Sequence, residues 1–261
     1  MLTILTLICT LHVNDNNINS SLSKPMSASP TLEAVHPPRL GALLYGIGAL
    51  GLIATCVFYV LAGPEAALPG GASSPAQAMA ATPRAAGWMR LAGLVGMPSD
   101  VLLAVGALLL ASHEYGRRAP LALAGWLALA IASALFIVVD AMVAMVLAQV
   151  ALQGGAEAAY AGLRGLFDVL FTIGAWTAGG GACAAAWRAD GVLFKWPLVG
   201  WAMRVAGAVC LLSTTAHLVG LPGAHLIGPG IALLALASVG AAMAYAPSHN
   251  GSFAPERKAT P

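Results

Sequence analysis

Six long apolar stretches occupy most of the chain between Arg39 and Pro247, and they restrict its fold more than any other feature of the sequence. A helix needs about 20 apolar residues to cross the hydrocarbon core of a membrane. The stretches run over about residues 40–62, 88–112, 121–152, 163–187, 197–219 and 227–245. The sequence therefore predicts an all-α protein, a polytopic membrane bundle of six transmembrane helices.

The composition of the 261-residue chain excludes several classes of protein. Hydrophobic residues make up 59% of it and charged residues 8%, whereas an average soluble domain is about 25% charged, so a bilayer must surround much of the chain. A net charge of +2 without a basic patch argues against a nucleic-acid partner. The four cysteines have neither a CxxC pair nor zinc-ligand spacing, and we predict no metal and no cofactor.

Both ends of the chain differ from the apolar domain at residues 39–247. Four of the five asparagines lie within the first twenty residues. Residues 1–38 are predicted to be a disordered tail, or an over-extended start with Met26 as the initiator; a secretory signal is the less favoured interpretation. Residues 248–261 are predicted to be a disordered cytoplasmic tail. The Ala/Pro/Gly/Ser-rich segment 63–87 is predicted to be an extracytoplasmic loop with a turn of surface helix near residues 76–81.

Lysine and arginine residues indicate the orientation of the helices. With the N-terminus inside, the inner segments hold eight of these residues, and the outer segments hold three. The inner ones are Lys24, Arg39, Arg117, Arg118, Arg188, Lys195, Arg257 and Lys258, and the outer ones are Arg84, Arg90 and Arg164. Because cytoplasmic loops carry the excess of positive residues, both termini are predicted to be cytoplasmic.

Three carboxylates, Asp100, Asp140 and Asp168, lie inside the apolar stretches. An ionised carboxylate in hydrocarbon is costly, and acids in membrane helices often mark ion paths. At a rise of about 1.5 Å per residue, the three lie roughly 18, 16–18 and 8 Å from the outer ends of their helices. They are therefore able to line one cavity if their helices are neighbours, and we treat them as a candidate proton or cation site.

Charged and proline neighbours offer a structural interpretation of the same acids. Arg164 precedes Asp168 by four residues, so the two share a helical face and a salt bridge is the simpler account of that pair. Asp100 follows Pro98, which leaves a free backbone carbonyl that could help to form a polar pocket. Arg204 is expected to extend to the nearer membrane surface, or else to pair with Asp100.

Signatures of membrane enzymes are missing from the sequence. It has no GxSG serine site, no HExxH zinc motif, no P-loop lysine and no pair of motifs of the intramembrane aspartyl protease type. His217 is the only histidine within an apolar stretch, which argues against a haem held between two transmembrane histidines. The chain is therefore predicted not to be an enzyme.

Several segments together give the chain a familiar layout. They are RLGALLYGIGALGLIA in the first stretch, the Pro/Gly-rich outer loop, GMPSDVLLAVGALLLA in the second stretch and GWAMRVAGAVCLLSTTAHLVG in the fifth. Over residues 38–247 the chain resembles bacterial six-helix membrane proteins of a family designated only as a domain of unknown function. The resemblance implies a bacterial inner (plasma) membrane protein and supplies no catalytic residues.

Two hypotheses about function remain, and both have the lipid bilayer and another membrane protein or a second copy of the chain as expected partners. The favoured one is a structural or regulatory membrane partner whose acids only order the bundle. The alternative is a small proton- or cation-coupled transporter that uses Asp100 and Asp140. Acids that converge on a cavity would favour transport, whereas acids each capped by a local partner would favour the structural role.

Overall fold

The computed structural model describes residues 37–72, 74–154, 156–187, 192–221 and 226–245, apart from the side chains of Pro37 and Phe194. Residues 1–36 of the tail predicted at 1–38, including Met26, and the tail predicted at 248–261 lie outside the described residues. The last two residues of the first tail, 37 and 38, belong to a helix instead. Within the described residues, six helices are long and apolar enough to cross a membrane. The predicted all-α bundle of six transmembrane helices is confirmed.

The helices connect through short segments. In chain order they are α1 (Pro37–Ala62), the short α2 (Pro64–Ala67), α3 (Pro75–Gly116), α4 (Pro120–Ala141), a π-helix (Met142–Leu147), α5 (Ala148–Leu152), α6 (Glu157–Ala185), a 3₁₀ helix (Val192–Lys195), α7 (Pro197–Leu218) and α8 (Ile227–Tyr245). The segment from α4 through the π-helix to α5 forms the third of the six membrane helices. Proline occupies the first turn of α2, α3, α4 and α7, where no backbone donor is lost.

The six membrane helices form a closed ring. Each packs mainly against its neighbours in the sequence, and the ring closes because α8 returns to pack against α1. Short connections make sequential helices antiparallel, so one end of the ring collects Arg39, Arg117, Arg118 and Lys195. We call this the basic end. The opposite end contains α2 and the start of α6.

The start of α3 differs from the sequence prediction. The helix begins at Pro75, 13 residues before the expected start at residue 88, and Ser74 caps it by accepting a hydrogen bond from the backbone nitrogen of Gln77 at 3.2 Å. Ala78 and Thr82 are buried in this extension. Thus residues 76–81 do not form a separate surface helix, and the connection after α1 is shorter than the predicted loop at 63–87. The fourth stretch also begins early, at Glu157 rather than residue 163.

Close packing between α1 and α3 places Asp100 in the interior of the ring. A Cβ atom on Gly51 of α1 would lie 2.0 Å from the Oγ atom of Ser99, and one on Gly48 would lie 2.7 Å from the Ser99 carbonyl oxygen. Only glycine permits this approach of the two helices. Ser99 therefore contacts α1, and the adjoining Asp100 is 1% exposed.

Candidate functional site

Asp100 and Asp140 meet in the middle of the ring. Asp100 lies on α3, and Asp140 lies in the last turn of α4. Tyr59 of α1 donates a hydrogen bond from its hydroxyl to Oδ1 of Asp140 at 2.7 Å. The two carboxyl groups line the same cavity and lie close enough to interact. Two of the three acids that the sequence singles out therefore form one cluster, which we call the acid pair.

Few hydrogen-bond donors among the described residues reach the acid pair. Among the described residues, both side-chain oxygens of Asp100 are buried and receive no hydrogen bond from a hydroxyl, amide or cation. The group that interacts with Asp100 is the carboxyl group of Asp140, and a hydrogen bond between two carboxyl groups requires a proton on one of them. Two ionised carboxylates this close in a low-dielectric interior would repel each other strongly. The arrangement is therefore suited to holding a proton or to accepting a cation.

Glycines on α3 make room for Asp140. A Cβ atom on Gly96 would lie 1.5 Å from Oδ2 of Asp140, and one on Gly93 would lie 2.3 Å from the Asp140 backbone oxygen. Directly after this contact the chain changes from α-helix to π-helix at Met142. Such π-segments occur frequently at functional sites because the wider turn re-aims neighbouring side chains. Nothing in the sequence reasoning anticipated this change of helix type.

A cavity of about 150 Å³ adjoins the acid pair on the side of the opposite end. It lies among α1, α3, α4, α6 and α8, and its wall is apolar except near the acids and along α1. The lining residues are Leu52, Thr55, Cys56, Tyr59, Val60, Leu68, Asp100, Phe136, Asp140, Phe171, Gly228, Pro229, Ile231 and Ala232. Of these, Phe136 and Phe171 pack edge to face with ring centroids 5.5 Å apart. No lysine, arginine or histidine is among these lining residues.

A second, much smaller cavity lies on the other side of Asp100, toward the basic end. Its volume is about 30 Å³, enough for about one water molecule. Tyr45 and Ser238 line it, and their hydroxyl oxygens are 3.1 Å apart. Asp100 therefore lines two cavities that differ about fivefold in volume. The bundle leaves more space next to the acid pair on one side than on the other.

Glu114 is a buried acid that sequence reasoning missed. It is 0% exposed at the end of α3, and its Oε1 atom accepts hydrogen bonds from the Tyr245 hydroxyl and, at 3.1 Å, from the Val192 nitrogen. Trp126 donates to the Tyr245 hydroxyl at 3.0 Å, and Arg117 lies 3.7 Å from Oε2 of Glu114. We call these five residues the basic-end cluster. Glu114 stands in a polar segment, ASHEYGRR, where an acid looks like an ordinary loop residue.

Asp168 is separate from the acid pair. Arg164 donates from Nε to Oδ1 of Asp168 at 3.1 Å, which confirms the predicted salt bridge. The other guanidinium nitrogens of Arg164 donate to the backbone oxygens of Ala66, at 2.6 Å, and of Leu68. Arg164 therefore fastens the segment around α2 across the opposite end of the bundle. Asp168 does not line the larger cavity, so the three acids do not share one site.

The remaining expectations concern Arg204 and Pro98. Arg204 donates from Nε to the Gly200 oxygen at 3.1 Å and lies over the Trp201 ring, 4.6 Å from its centroid. It makes no hydrogen bond to Asp100, so that alternative pairing is wrong.

Pro98 is exposed, and so is Leu94, whose carbonyl oxygen loses a backbone hydrogen-bond donor because proline has no N–H group. The freed carbonyl therefore belongs to the exposed side of α3 rather than to the polar site.

Comparisons with protein-family models, curated proteins and solved structures found no match for this chain. The similarity in layout to bacterial six-helix proteins therefore stays a prediction from the sequence. What the site can do has to be argued from the geometry of the acid pair and its cavity.

Proposed function

We propose that this multi-pass membrane protein is a small proton- or cation-coupled transporter, in which Asp100 and Asp140 hold the exchanged charge. The observation that supports this proposal is the pair of buried Asp100 oxygens that lack a donor and line a cavity. An acid that only ordered the bundle would be expected to have a hydrogen-bond partner, as Glu114 and Asp168 have. Unpaired acids inside a membrane protein are typical of ion and proton paths.

The packing around the acid pair agrees with a transport cycle. The larger cavity lies on one side of Asp100, and the Tyr45–Ser238 contact closes the other side. A transporter exposes its site to one face of the membrane at a time, by moving one group of helices relative to the rest. In this proposal the present arrangement is the one in which the basic end is closed.

The orientation belongs to the proposal as well. We infer that the basic end faces the cytoplasm of a bacterium, in the inner membrane, because Arg39, Arg117, Arg118 and Lys195 collect there. The cavity then lies in the outer half of the membrane. The competing hypothesis, a structural or regulatory partner of another membrane protein, would leave the acid pair without a role in flux.

Flux measurements in liposomes separate the two hypotheses. We expect the purified protein to move protons, Na⁺ or K⁺ down an imposed gradient, measured with a trapped pH indicator or by tracer uptake, and we expect Asp140→Asn to abolish this flux. Asp168→Asn is the matched control, because it also removes a membrane carboxylate but lies outside the cavity, and its flux should be near that of the unaltered protein. Vesicles that match protein-free vesicles under every gradient would overturn the proposal in favour of the partner role.

A further inference from the structure

The larger cavity is closed toward the end of the bundle but open to the side. Leu68 lines it, and Arg164 holds the Leu68 and Ala66 backbone oxygens. Ala66 and Ala67 of this segment are buried. Water from the opposite end is therefore separated from the cavity by a fastened segment. A ligand that reached the acid pair from that end would have to displace this segment.

We infer that the side opening lies between α1 and α8. In the basic half these helices touch: a Cβ atom on Gly46 would lie 3.1 Å from Cβ of Ala242. In the other half Val60 of α1 and Pro229 of α8 line the cavity. Both residues are also exposed, Val60 to 73%. Because this surface faces hydrocarbon in a membrane, the described part of the chain offers the cavity to lipid-soluble molecules.

The chemistry of the cavity selects among such molecules. A void of about 150 Å³ with apolar walls is the size that accepts a single benzene-like ring. The Asp100 oxygens require a donor or a positive charge. The aromatic rings of Phe136, Phe171 and Tyr59 line the cavity, and such rings can also stabilise a cation. A compact apolar body that carries one ammonium group satisfies all three conditions.

We propose that the cavity binds a lipophilic amine in its ammonium form, of about one ring or an equivalent alkyl group, which enters from the membrane between α1 and α8. This inference rests on the proposed function and names its substrate class. The ammonium group donates hydrogen bonds to Asp100, and the apolar body fills the space between Phe136 and Val60.

Proton exchange keeps the charge of the site constant. With both carboxyl groups protonated the acid pair is neutral, and Tyr59 donates to Asp140. One proton leaves the acid pair when one ammonium ion binds, so the net charge of the site stays at zero. The titratable groups that line the two cavities beside the pair are Tyr59, Cys56 and Tyr45, all from α1, and the lining from α6 and α8 contributes no titratable side chain. The proposal thus predicts one proton released per amine bound.

Binding of benzylammonium to the purified full chain in lipid nanodiscs tests the chemistry. We expect saturable binding, release of about one proton in weak buffer, and a loss of affinity of about 10- to 100-fold in Asp100→Asn, the effect of losing a hydrogen bond to a charged group. Benzyl alcohol has the same body without the charge and should bind weakly. Equal binding of amine and alcohol, or an unchanged affinity in Asp100→Asn, would overturn the substrate class.

The route is tested separately, by association rates. Val60→Trp would obstruct the opening between α1 and α8, and we expect it to slow association of benzylammonium by about 10-fold or more. Val57→Trp is the matched control, because Val57 is 51% exposed on the same helix but does not line the cavity. Equal rates in the two variants would overturn entry from the membrane.

The outcomes distinguish this inference from the proposed function. Binding with proton release but without transport in liposomes would leave the amine site standing and refute the transporter. Proton or cation flux that depends on Asp140, without amine binding, would refute the substrate class and leave the transporter standing.

Discussion

Asp100 and Glu114 are buried acids on the same helix, α3, about 21 Å apart along its axis. Their surroundings are very different. Glu114 receives hydrogen bonds from Tyr245 and the Val192 nitrogen and lies near Arg117. Asp100 receives none from a hydroxyl, amide or cation within the described residues. The difference teaches that burial alone does not show what an acid does. Hydrogen-bond donors around the carboxyl group distinguish an acid that connects helices from one that is available to bind a ligand.

The basic-end cluster connects four separate parts of the fold. Glu114 lies in the last turn of α3, Tyr245 ends α8, Trp126 lies on α4, and Val192 begins the 3₁₀ helix. The ring of Tyr45 on α1 also packs edge to face on Trp126, with centroids 5.0 Å apart. The cluster therefore holds the basic end closed. The acid pair, in contrast, is positioned by glycine contacts and by one hydrogen bond from Tyr59.

Removal of Glu114 should have the largest effect on stability. In Glu114→Ala the Tyr245 hydroxyl loses its acceptor and the Val192 nitrogen is left without a partner. We expect the free energy of unfolding to fall by about 3 kcal/mol, because each unsatisfied buried group costs about 1–3 kcal/mol. Unfolding in detergent with increasing denaturant measures this change.

Glu114→Gln is the matched control for that variant. It keeps an oxygen acceptor for Tyr245 and Val192 and loses the charge near Arg117, whose Nε atom is 3.7 Å from Oε2. We expect a smaller loss than in Glu114→Ala, because both hydrogen bonds are kept and 3.7 Å is too long for a third. If the glutamine and alanine variants were equally unstable, the charge of Glu114 rather than its hydrogen bonds would hold the basic end together.

Crowding at Gly93 should have the next largest effect, because packing rather than hydrogen bonding positions the acid pair. A Cβ atom in Gly93→Ala would lie 2.3 Å from the Asp140 backbone oxygen and 2.5 Å from Cβ of Ala144. We expect a loss of about 1–3 kcal/mol in the free energy of unfolding, the usual cost of overpacking. Gly162→Ala, at an exposed helical site with open space around it, should be neutral or stabilising by up to about 1 kcal/mol. Equal stability of the two variants would show that α3 and α4 can separate without cost.

The sequence predicts the fold well because hydrophobicity and length decide it. Each of the six helices contains the apolar stretch required to cross a membrane, and lipid leaves few other solutions for such segments. The salt bridge of Arg164 with Asp168 was also predictable, since the four-residue spacing is local. The first residues of the helices were harder to predict from the sequence. The extension of α3 back to Pro75 depends on burial of Thr82 against Tyr160, and the hydroxyl oxygens of these two residues are 2.8 Å apart.

The site itself required tertiary contacts. That Asp100 meets Asp140 rather than Arg204 follows from the order of helices around the ring, which hydropathy does not encode. Depth along a helix correctly put Asp100 and Asp140 at similar levels, but it could not show that Asp168 does not line the cavity. Glu114 was missed because it lies in a charged segment, and only the return of α8 to the same end shows that it is buried.

The smallest expected change in stability is also the one that most directly separates the two acids. In Asp100→Asn a buried carboxyl group without donors becomes an uncharged amide of nearly the same shape. We expect the free energy of unfolding to stay the same or to rise by up to about 1 kcal/mol, because the Asp100 oxygens accept no hydrogen bond from the described residues that the amide would lose. The same denaturant unfolding in detergent measures it, with Glu114→Gln as the comparison on the same helix. A functional site commonly costs stability in this way, so a variant that loses flux while it keeps or gains stability would identify Asp100 as an acid retained for use. A loss of more than about 1 kcal/mol would instead mean that Asp100 helps to hold the helices together, and the contrast between the two acids would fail.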